Sequence, residues 1–251
     1  MKYISLPDEK ERRLTSVDAP TRCLSFYLAM EEFVARRLDE PDCFFMWQVE
    51  PSVIFGRNQV LENEVNLDYC KAHGIKVYRR KSGGGCVYAD QDNLMWSFIT
   101  SGENVGFAFN RFVNMVLLVL RKLGIAATGT SHNDIMIGNR KVCGTACYHV
   151  AGRSIVHSTM LYDTNMDHML HAITPGPEKL EKKGIQSVRQ RITLLKDYLT
   201  EDDQPKSAKE LKAFIREALC DGECVLTQAD VTEIEQLEQT YLKEEFINLI
   251  Q

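Results

Sequence analysis

Positive charge is not in excess in this chain: 30 Lys and Arg stand against 35 Asp and Glu, a formal net charge of −5. That balance argues against broad nucleic-acid binding, which calls for a basic face. A local basic patch nevertheless stands at residues 79–81. Long apolar runs are also missing. The longest, Phe112-Val113-Asn114-Met115-Val116-Leu117-Leu118-Val119-Leu120, stops at Arg121-Lys122, too short for a membrane span, and reads as a buried helix. The segment from Met1 to Arg13 is polar and charged and holds no apolar leader. Eight cysteines without such a leader are expected as free thiols in a reducing cytoplasm. Cys143/Cys147 and Cys220/Cys224 are each four positions apart, and neither pair has the tighter spacing and partner pair of a structural zinc site. There is no internal repeat, low-complexity tract or linker. The 251 residues, 44% of them hydrophobic, are therefore expected to form one domain spanning residues 1–251. Its charged part after residue 200 is expected to pack on it as helices.

What is present centres on Val77-Tyr78-Arg79-Arg80-Lys81-Ser82-Gly83-Gly84-Gly85-Cys86-Val87-Tyr88. Consecutive glycines follow three cations and lie between two strand-forming runs. Glycine takes positive φ and lets a ligand approach the backbone closely. A strand, a triple glycine and a second strand offer a row of backbone N–H groups, a nest for anionic oxygens. A glycine-rich hairpin or an edge bulge is the plainer alternative. Hairpins need fewer glycines, however, and no cations. The stretch reads as a phosphate or carboxylate cradle.

The surrounding pattern alternates strands and helices. Tyr3-Ile4-Ser5 reads as a strand, and residues 20–37 as a helix capped by Asp18 with Pro20 in its first turn. Glu31 and Glu32 fall on that helix. Residues 43–49 and 52–55 read as strands, residues 63–73 as a helix stopped by Gly74, and residues 75–79, 87–89 and 94–100 as strands. The short returns predict antiparallel pairing across residues 75–100. A helix over residues 107–123 ends at Gly124. A hairpin follows, turning at Gly138-Asn139 and bringing Asn133-Asp134 near Lys141. A strand over residues 154–162 and two amphipathic helices, at about 207–219 and 231–249, complete the reading.

A lone lysine on a strand is usually a solvated edge residue. Lys141 is surrounded by Gly138, Gly144, Thr145 and Ala146, small residues that leave room above a sheet. A compact ammonium there suits an anionic ligand, or two of them.

Together these segments resemble the lipoate–protein ligase family. The resemblance is carried by Arg79 to Tyr88 with Asp90 and Asn93, by Asn133-Asp134-Ile135, by Gly138 to Ala146, and by His157-Ser158-Thr159-Met160-Leu161. Weaker matches are Pro51 to Gln59 and Lys183 to Arg189. The resemblance implies an α/β fold of α+β type, the biotin/lipoate ligase catalytic-domain fold: a mixed, largely antiparallel sheet with flanking helices. It implies a two-step reaction. Lipoate and ATP give lipoyl-AMP and pyrophosphate, and a carrier lysine then takes the lipoyl group, releasing AMP. Lys141 is the implied catalytic residue, placed between carboxylate and α-phosphate. Arg80, Ser82, Gly83, Gly84, Gly85, Cys86, Val87 and Asn93 are implied to bind substrate or nucleotide, as are Asn133, Asp134, Gly144, Thr145, Ala146, His157 and Thr159. Asp134 is the implied Mg²⁺ ligand. Apolar side chains around Trp47, Val53 and Val87 are expected to bury the lipoyl chain, at about 0.8 kcal/mol per methylene. The implied partners are lipoyl carrier domains of 2-oxoacid dehydrogenase complexes or the glycine cleavage H protein.

The chain departs from the family pattern at Ala89, where histidine is common, at Asp92, at Cys143 and at Ser158. It also stops at Gln251, which leaves the accessory domain of the longest ligases as dispensable or as a separate protein. Alternatives follow from these departures: an acyltransferase working through an acyl-cysteine near Lys141, a lipoyltransferase using preformed lipoyl-AMP, or a regulator that binds without turnover. Cys147 itself reads as a packed small residue. His168 and His171 have no third ligand at metal-site spacing and read as surface residues.

Overall fold

Side chains of the apolar run at residues 43–49 point alternately to two cores, which is why the run is continuous. The run forms β2 (Asp42–Trp47) in a computed structural model that describes residues 1–8, 22–102, 104–130, 134–173 and 191–248. Phe44 and Met46 enter one core, while Cys43, Phe45 and Trp47 enter the core on the opposite face. The other strands of this sheet are β1 (Lys2–Ser5), β6 (Leu94–Ser101), β7 (Thr128–Gly129), β8 (Asp134–Ile137), β9 (Arg140–Val150), β10 (Arg153–Met160) and β11 (Gly222–Val225). The order of the eight is β11-β1-β2-β6-β10-β9-β8-β7. β1 is parallel to both β11 and β2. Every pairing from β2 across to β7 is antiparallel. A smaller sheet holds β3 (Ser52–Phe55) between β4 (Lys76–Arg79) and β5 (Val87–Ala89). The mixed, largely antiparallel architecture with flanking helices is the one expected.

Helix α1 (Leu24–Arg37) is buried from Leu24 through Ala35, Glu31 and Glu32 included. Such all-round burial needs cover on both sides. The large sheet supplies one side and α7 (Gln228–Leu242) the other, through Val231, Ile234 and Tyr241. The second face of the sheet is covered by α4 (Val105–Lys122) and α6 (Ala208–Leu219). Short helices α2 (Leu61–Glu64), α3 (Leu67–Ala72) and α5 (Met166–Ala172) flank the small sheet, and α8 (Glu244–Ile247) follows α7 after a break at Lys243. Among the described residues no helix is long and apolar enough to cross a membrane, and all eight cysteines are free.

Four local expectations are revised. The first helix starts at Leu24, after Cys23, whose side chain makes no cap, while Asp18 and Pro20 lie outside the described residues. The helix expected over residues 63–73 is two, because Val65 bridges to Ile173 and the Asn66 side chain accepts from Tyr69 N at 3.1 Å, starting α3 afresh. The strands around the glycines do not pair with each other. β4 runs parallel to β3, and β5 runs antiparallel on its other edge. β6 belongs to the large sheet instead. The glycine segment therefore crosses over the end of β3 rather than turning a hairpin. Finally, β11 was not anticipated; it is a short, half-exposed edge strand recruited by β1.

Candidate functional site

The crossing segment closes down tightly on β3. A Cβ at Gly56 would lie 2.2 Å from the Gly84 carbonyl oxygen, so only glycine permits the approach, and Gly84 itself has φ +90°. The loop is gathered from within by Arg80, which is 5% exposed. Its Nη2 donates to the carbonyls of Gly83 and Gly85, both at 2.7 Å, and its Nη1 to the Ile54 carbonyl at 3.1 Å. Burial pulls the guanidinium down to about 10, still cationic near neutrality. With their carbonyls turned to Arg80, Gly83 and Gly85 donate their amides to no acceptor among the described residues, and Gly84 does likewise. Unspent amides of this kind are what an anion nest requires.

Behind the loop lies a buried polar cluster. Ser82 is fully buried, its Oγ 2.7 Å from His157 Nε2, while His157 Nδ1 lies 2.9 Å from Glu31 Oε2. The sequence reading placed Glu31 on the right helix without giving it a role. The available signal was an acidic pair inside the otherwise apolar stretch from Phe26 to Val34.

Opposite the loop stands the hairpin of β8 and β9. Lys141 Nζ is 2.8 Å from Asp134 Oδ1, each side chain about one third exposed. A register shift between Ile135 and Met136 inserts an extra residue in β9. Such a bulge re-aims side chains. Here it brings Lys141 and Gly144, three positions apart, onto one side of the strand, where a Cβ at Gly144 would lie 2.8 Å from Nζ. The Lys141 backbone is held in turn by Arg191 O, which accepts from its N–H at 2.7 Å, and by Thr193 N, which donates to its carbonyl at 2.9 Å.

Loop and hairpin enclose a narrow cavity of about 110 Å³. Arg80, Gly84, Gly85, Cys86 and Val87 line one side. Lys141, Gly144, Thr145, Ala146, His157 and Thr159 line the other. Leu28, Trp47, Ile54 and Met95 form its apolar floor. Trp47 and Val87 are thus where the sequence placed them. Val53 is not: its side chain is wholly buried in the core of the small sheet, and Ile54, the next residue on the alternate face, takes that position. Asn93 does not reach the cavity either. It is fully buried and donates to the Tyr88 carbonyl at 3.0 Å, closing the turn after β5. Asp90 completes that turn, accepting from Thr164 Oγ1 and Asn165 N, both at 2.9 Å. Ser82 and Gly83 belong to the loop but do not line the cavity, and Asn133 and the segment from Lys183 to Arg189 lie outside the described residues. Burial pushes the thiols of Cys86, Cys143 and Cys147 up to about 12, the reverse of what a nucleophilic cysteine needs. A larger cleft of about 590 Å³, between α4 and β7, holds Arg121 among mostly apolar residues and has neither the loop amides nor a lysine–carboxylate pair.

The chain as a whole has counterparts among known proteins. The sequence model of the lipoyl protein ligase A/B catalytic domain matches residues 24–219. Lipoate–protein ligase 1 of Staphylococcus aureus is 37% identical over 216 residues, which cover 84% of this chain and 65% of that protein. The curated relatives are longer, and the chain spans from 56% to 65% of their length. Among solved structures, a bipartite lipoate–protein ligase of Thermoplasma acidophilum is 26% identical at a TM-score of 0.81, with 100% of this chain and 97% of that one covered. A lipoate–protein ligase A bound with ATP is 25% identical at a TM-score of 0.79, with 99% of each chain covered. The chain belongs to the lipoyl protein ligase A/B catalytic domain family.

Proposed function

We propose that the protein is an ATP-dependent lipoate–protein ligase. The observation that carries this reading is the Lys141 ammonium, paired with Asp134 and projecting into the cavity bounded by Gly84 and Gly85. A carboxylate and an α-phosphate brought together repel each other, and their reaction builds further negative charge. Lys141 stands where it offsets both, and the loop amides add donors that need no reorganisation. Trp47, Ile54, Met95 and Leu28 offer the acyl chain an apolar bed.

Asp134 fits a Mg²⁺ accompanying the nucleotide. Among the described residues no three metal-ligating side chains gather, but Mg²⁺ is commonly held by one or two carboxylates plus substrate phosphates. Bound there, the ion would neutralise phosphate charge. The acceptor in this reading is a lysine of a lipoyl carrier domain, from a 2-oxoacid dehydrogenase complex or a glycine cleavage H protein. The T. acidophilum relative is described as bipartite and together with its E2 lipoyl domain. By that likeness, residues 1–251 act as one catalytic domain. Eight free thiols suit a cytoplasmic setting.

Incubation with lipoate, ATP and Mg²⁺ tests the proposal: lipoyl-AMP and pyrophosphate are expected, and Lys141→Ala abolishes both while its circular dichroism stays native. A wild-type protein that instead acylates a cysteine from an acylated carrier without ATP would be a transferase. Adenylation at the wild-type rate by Lys141→Ala would remove Lys141 from the mechanism.

A further inference from the structure

Counting protons fixes the direction of the hydrogen-bond chain behind the glycine loop. Arg80 Nε donates to Ser82 Oγ at 2.9 Å, since a guanidinium has no acceptor. The Ser82 hydroxyl proton then has His157 Nε2, at 2.7 Å, as its acceptor. A doubly protonated imidazole would leave that proton without a partner in a position that is 0% exposed. In this arrangement His157 accepts at Nε2 and donates from Nδ1 to Glu31 Oε2 at 2.9 Å. A second chain reaches the same carboxylate. Trp47 Nε1 donates to Ser97 Oγ at 2.9 Å, and Ser97 Oγ donates to Glu31 Oε1 at 2.6 Å. One chain starts at the cation that gathers the loop, the other at a ring in the cavity floor. Both end on a carboxylate that is 0% exposed.

The order serine, histidine, carboxylate is that of a hydrolytic triad, but the oxygen at its head is not a nucleophile here. Ser82 is fully buried and accepts from Arg80, and it is absent from the cavity lining. The chain holds a shape.

We propose that Glu31 is a positioning residue of this site: through His157 and Ser82 it orients the Arg80 guanidinium that turns the Gly83 and Gly85 carbonyls inward, and so keeps the loop amides available to the acyl-phosphate. Its charge is needed, not only its size. In a glutamine one oxygen becomes an NH₂ group, and either way round that group faces a donor hydrogen, from Ser97 or from His157. The alternative is for His157 to move its proton to Nε2, which takes away the acceptor of Ser82.

The kinetic part of the test rests on the ligase reading; the spectroscopic part does not. Adenylation kinetics are measured for wild type, Glu31→Gln, Ser82→Ala and the double variant, and the tautomer of His157 is read by ¹⁵N-resolved imidazole NMR. Wild type is expected to show the Nδ1–H tautomer with an exchange-protected Nδ1–H proton, and Glu31→Gln to lose that signal. Each single variant is expected to lower kcat/KM for adenylation about 10- to 100-fold, the effect of an unpaired buried polar group. The double variant is expected to be no worse than the poorer single one, because both act through one chain. Partial recovery is expected in Glu31→Asp, which keeps the charge. An Nε2–H tautomer in wild type, additive losses in the double variant, or wild-type kcat/KM in folded Glu31→Gln would each overturn the inference. If Glu31→Gln does not fold, Ser82→Ala, which removes no buried charge, decides alone: wild-type kcat/KM there overturns the inference, and the stated loss supports it. A wild-type protein that makes no adenylate sinks the ligase reading only, and the tautomer then decides the role of Glu31.

Discussion

Replacing Gly144 by alanine puts a single methyl group where the Lys141 side chain now lies. The new Cβ would stand 2.8 Å from Lys141 Nζ and 2.9 Å from Lys141 Cε, with Asp134 Oδ1 next at 4.0 Å. No backbone atom is among these contacts, so the flexible lysine yields rather than the sheet. Restoring an ordinary separation of about 3.8 Å moves the ammonium by roughly 1 Å. What is lost in stability is at most the ion pair with Asp134. With both partners about one third exposed, that pair contributes about 0–1 kcal/mol. For a chain of this size such a loss lowers Tm by no more than about 2–4 °C. The effect on chemistry is far larger, because a displacement of about 1 Å in a positioned group lowers rates by about 100-fold. That corresponds to about 2.7 kcal/mol in the barrier. Pyrophosphate release with lipoate and ATP, set beside a thermal melt of the same preparation, separates the two. The expected result is a fall of about two decades in kcat/KM with a nearly unchanged melt. Unchanged kcat/KM would refute the placement of Lys141 over Gly144, and a collapse in Tm would show that the sheet, not the side chain, absorbs the methyl group.

Gly56→Ala is expected to behave in the opposite way, because its Cβ would meet the Gly84 carbonyl oxygen at 2.2 Å, backbone against backbone. About 1–3 kcal/mol of stability should be lost, measured by urea unfolding, and a variant as stable as wild type would contradict the tight crossing of the loop over β3. Burial pushes the Glu32 carboxyl up, but hydrogen bonds from Lys81 and Arg36 more than offset this and leave it below its ordinary value of 4.5. A depressed folded value means stability that is present above about pH 4.5 and is lost as pH falls through the folded value. Glu32→Gln should therefore flatten the acid side of the stability profile, and parallel profiles would argue that the ion pairs contribute nothing. With its thiol pushed up to about 12, Cys147 should tolerate serine with adenylation and transfer both retained, whereas loss of transfer alone would revive the acyl-cysteine route.

Features governed by neighbouring residues were legible in the sequence. Gly74 and Gly124 end their helices at φ +66° and +73°, and Gly138 turns the hairpin at φ +57°, where local sterics decide the conformation. The approach of Asp134 to Lys141 followed from that turn and needed no tertiary information. Features decided by distant partners were not legible. Whether β4 pairs with β5 or with β3 depends on which strand offers a free edge, and nothing within residues 75–100 records that β3 offers two. The same holds for β11, whose partner β1 is more than two hundred positions away. Burial also changes the meaning of polar residues. Asn93 is implied by the resemblance as a ligand contact, yet it closes a turn from within.

The basic run before the glycines shows the same effect and sharpens what the site can use. In sequence, residues 79–81 form one patch; along an extended chain, neighbours point to opposite sides. Arg79 is buried beneath the loop, its guanidinium carbon 4.4 Å from the Phe55 ring centroid, and donates to the carbonyls of Ile247, Arg57 and Gln59 at 2.9, 2.7 and 3.0 Å. Lys81 lies 4.8 Å over the Tyr241 ring and pairs with Glu32 at 2.5 Å, while Tyr241 donates to the same carboxylate at 3.1 Å. Of the three, Arg80 faces the loop, donating to the carbonyls of Ile54, Gly83 and Gly85 and to Ser82 Oγ. Of the basic run only Arg80 lines the cavity, and Lys141 of the hairpin lines it too. Arg79 and Lys81 serve instead as attachment points for α8 and α7, which lie beyond the matched residues 24–219. In this chain the glycine loop is thus held at its root by a C-terminal segment outside the matched region, and a substitution such as Tyr241→Phe should loosen the loop without touching any residue that lines the cavity.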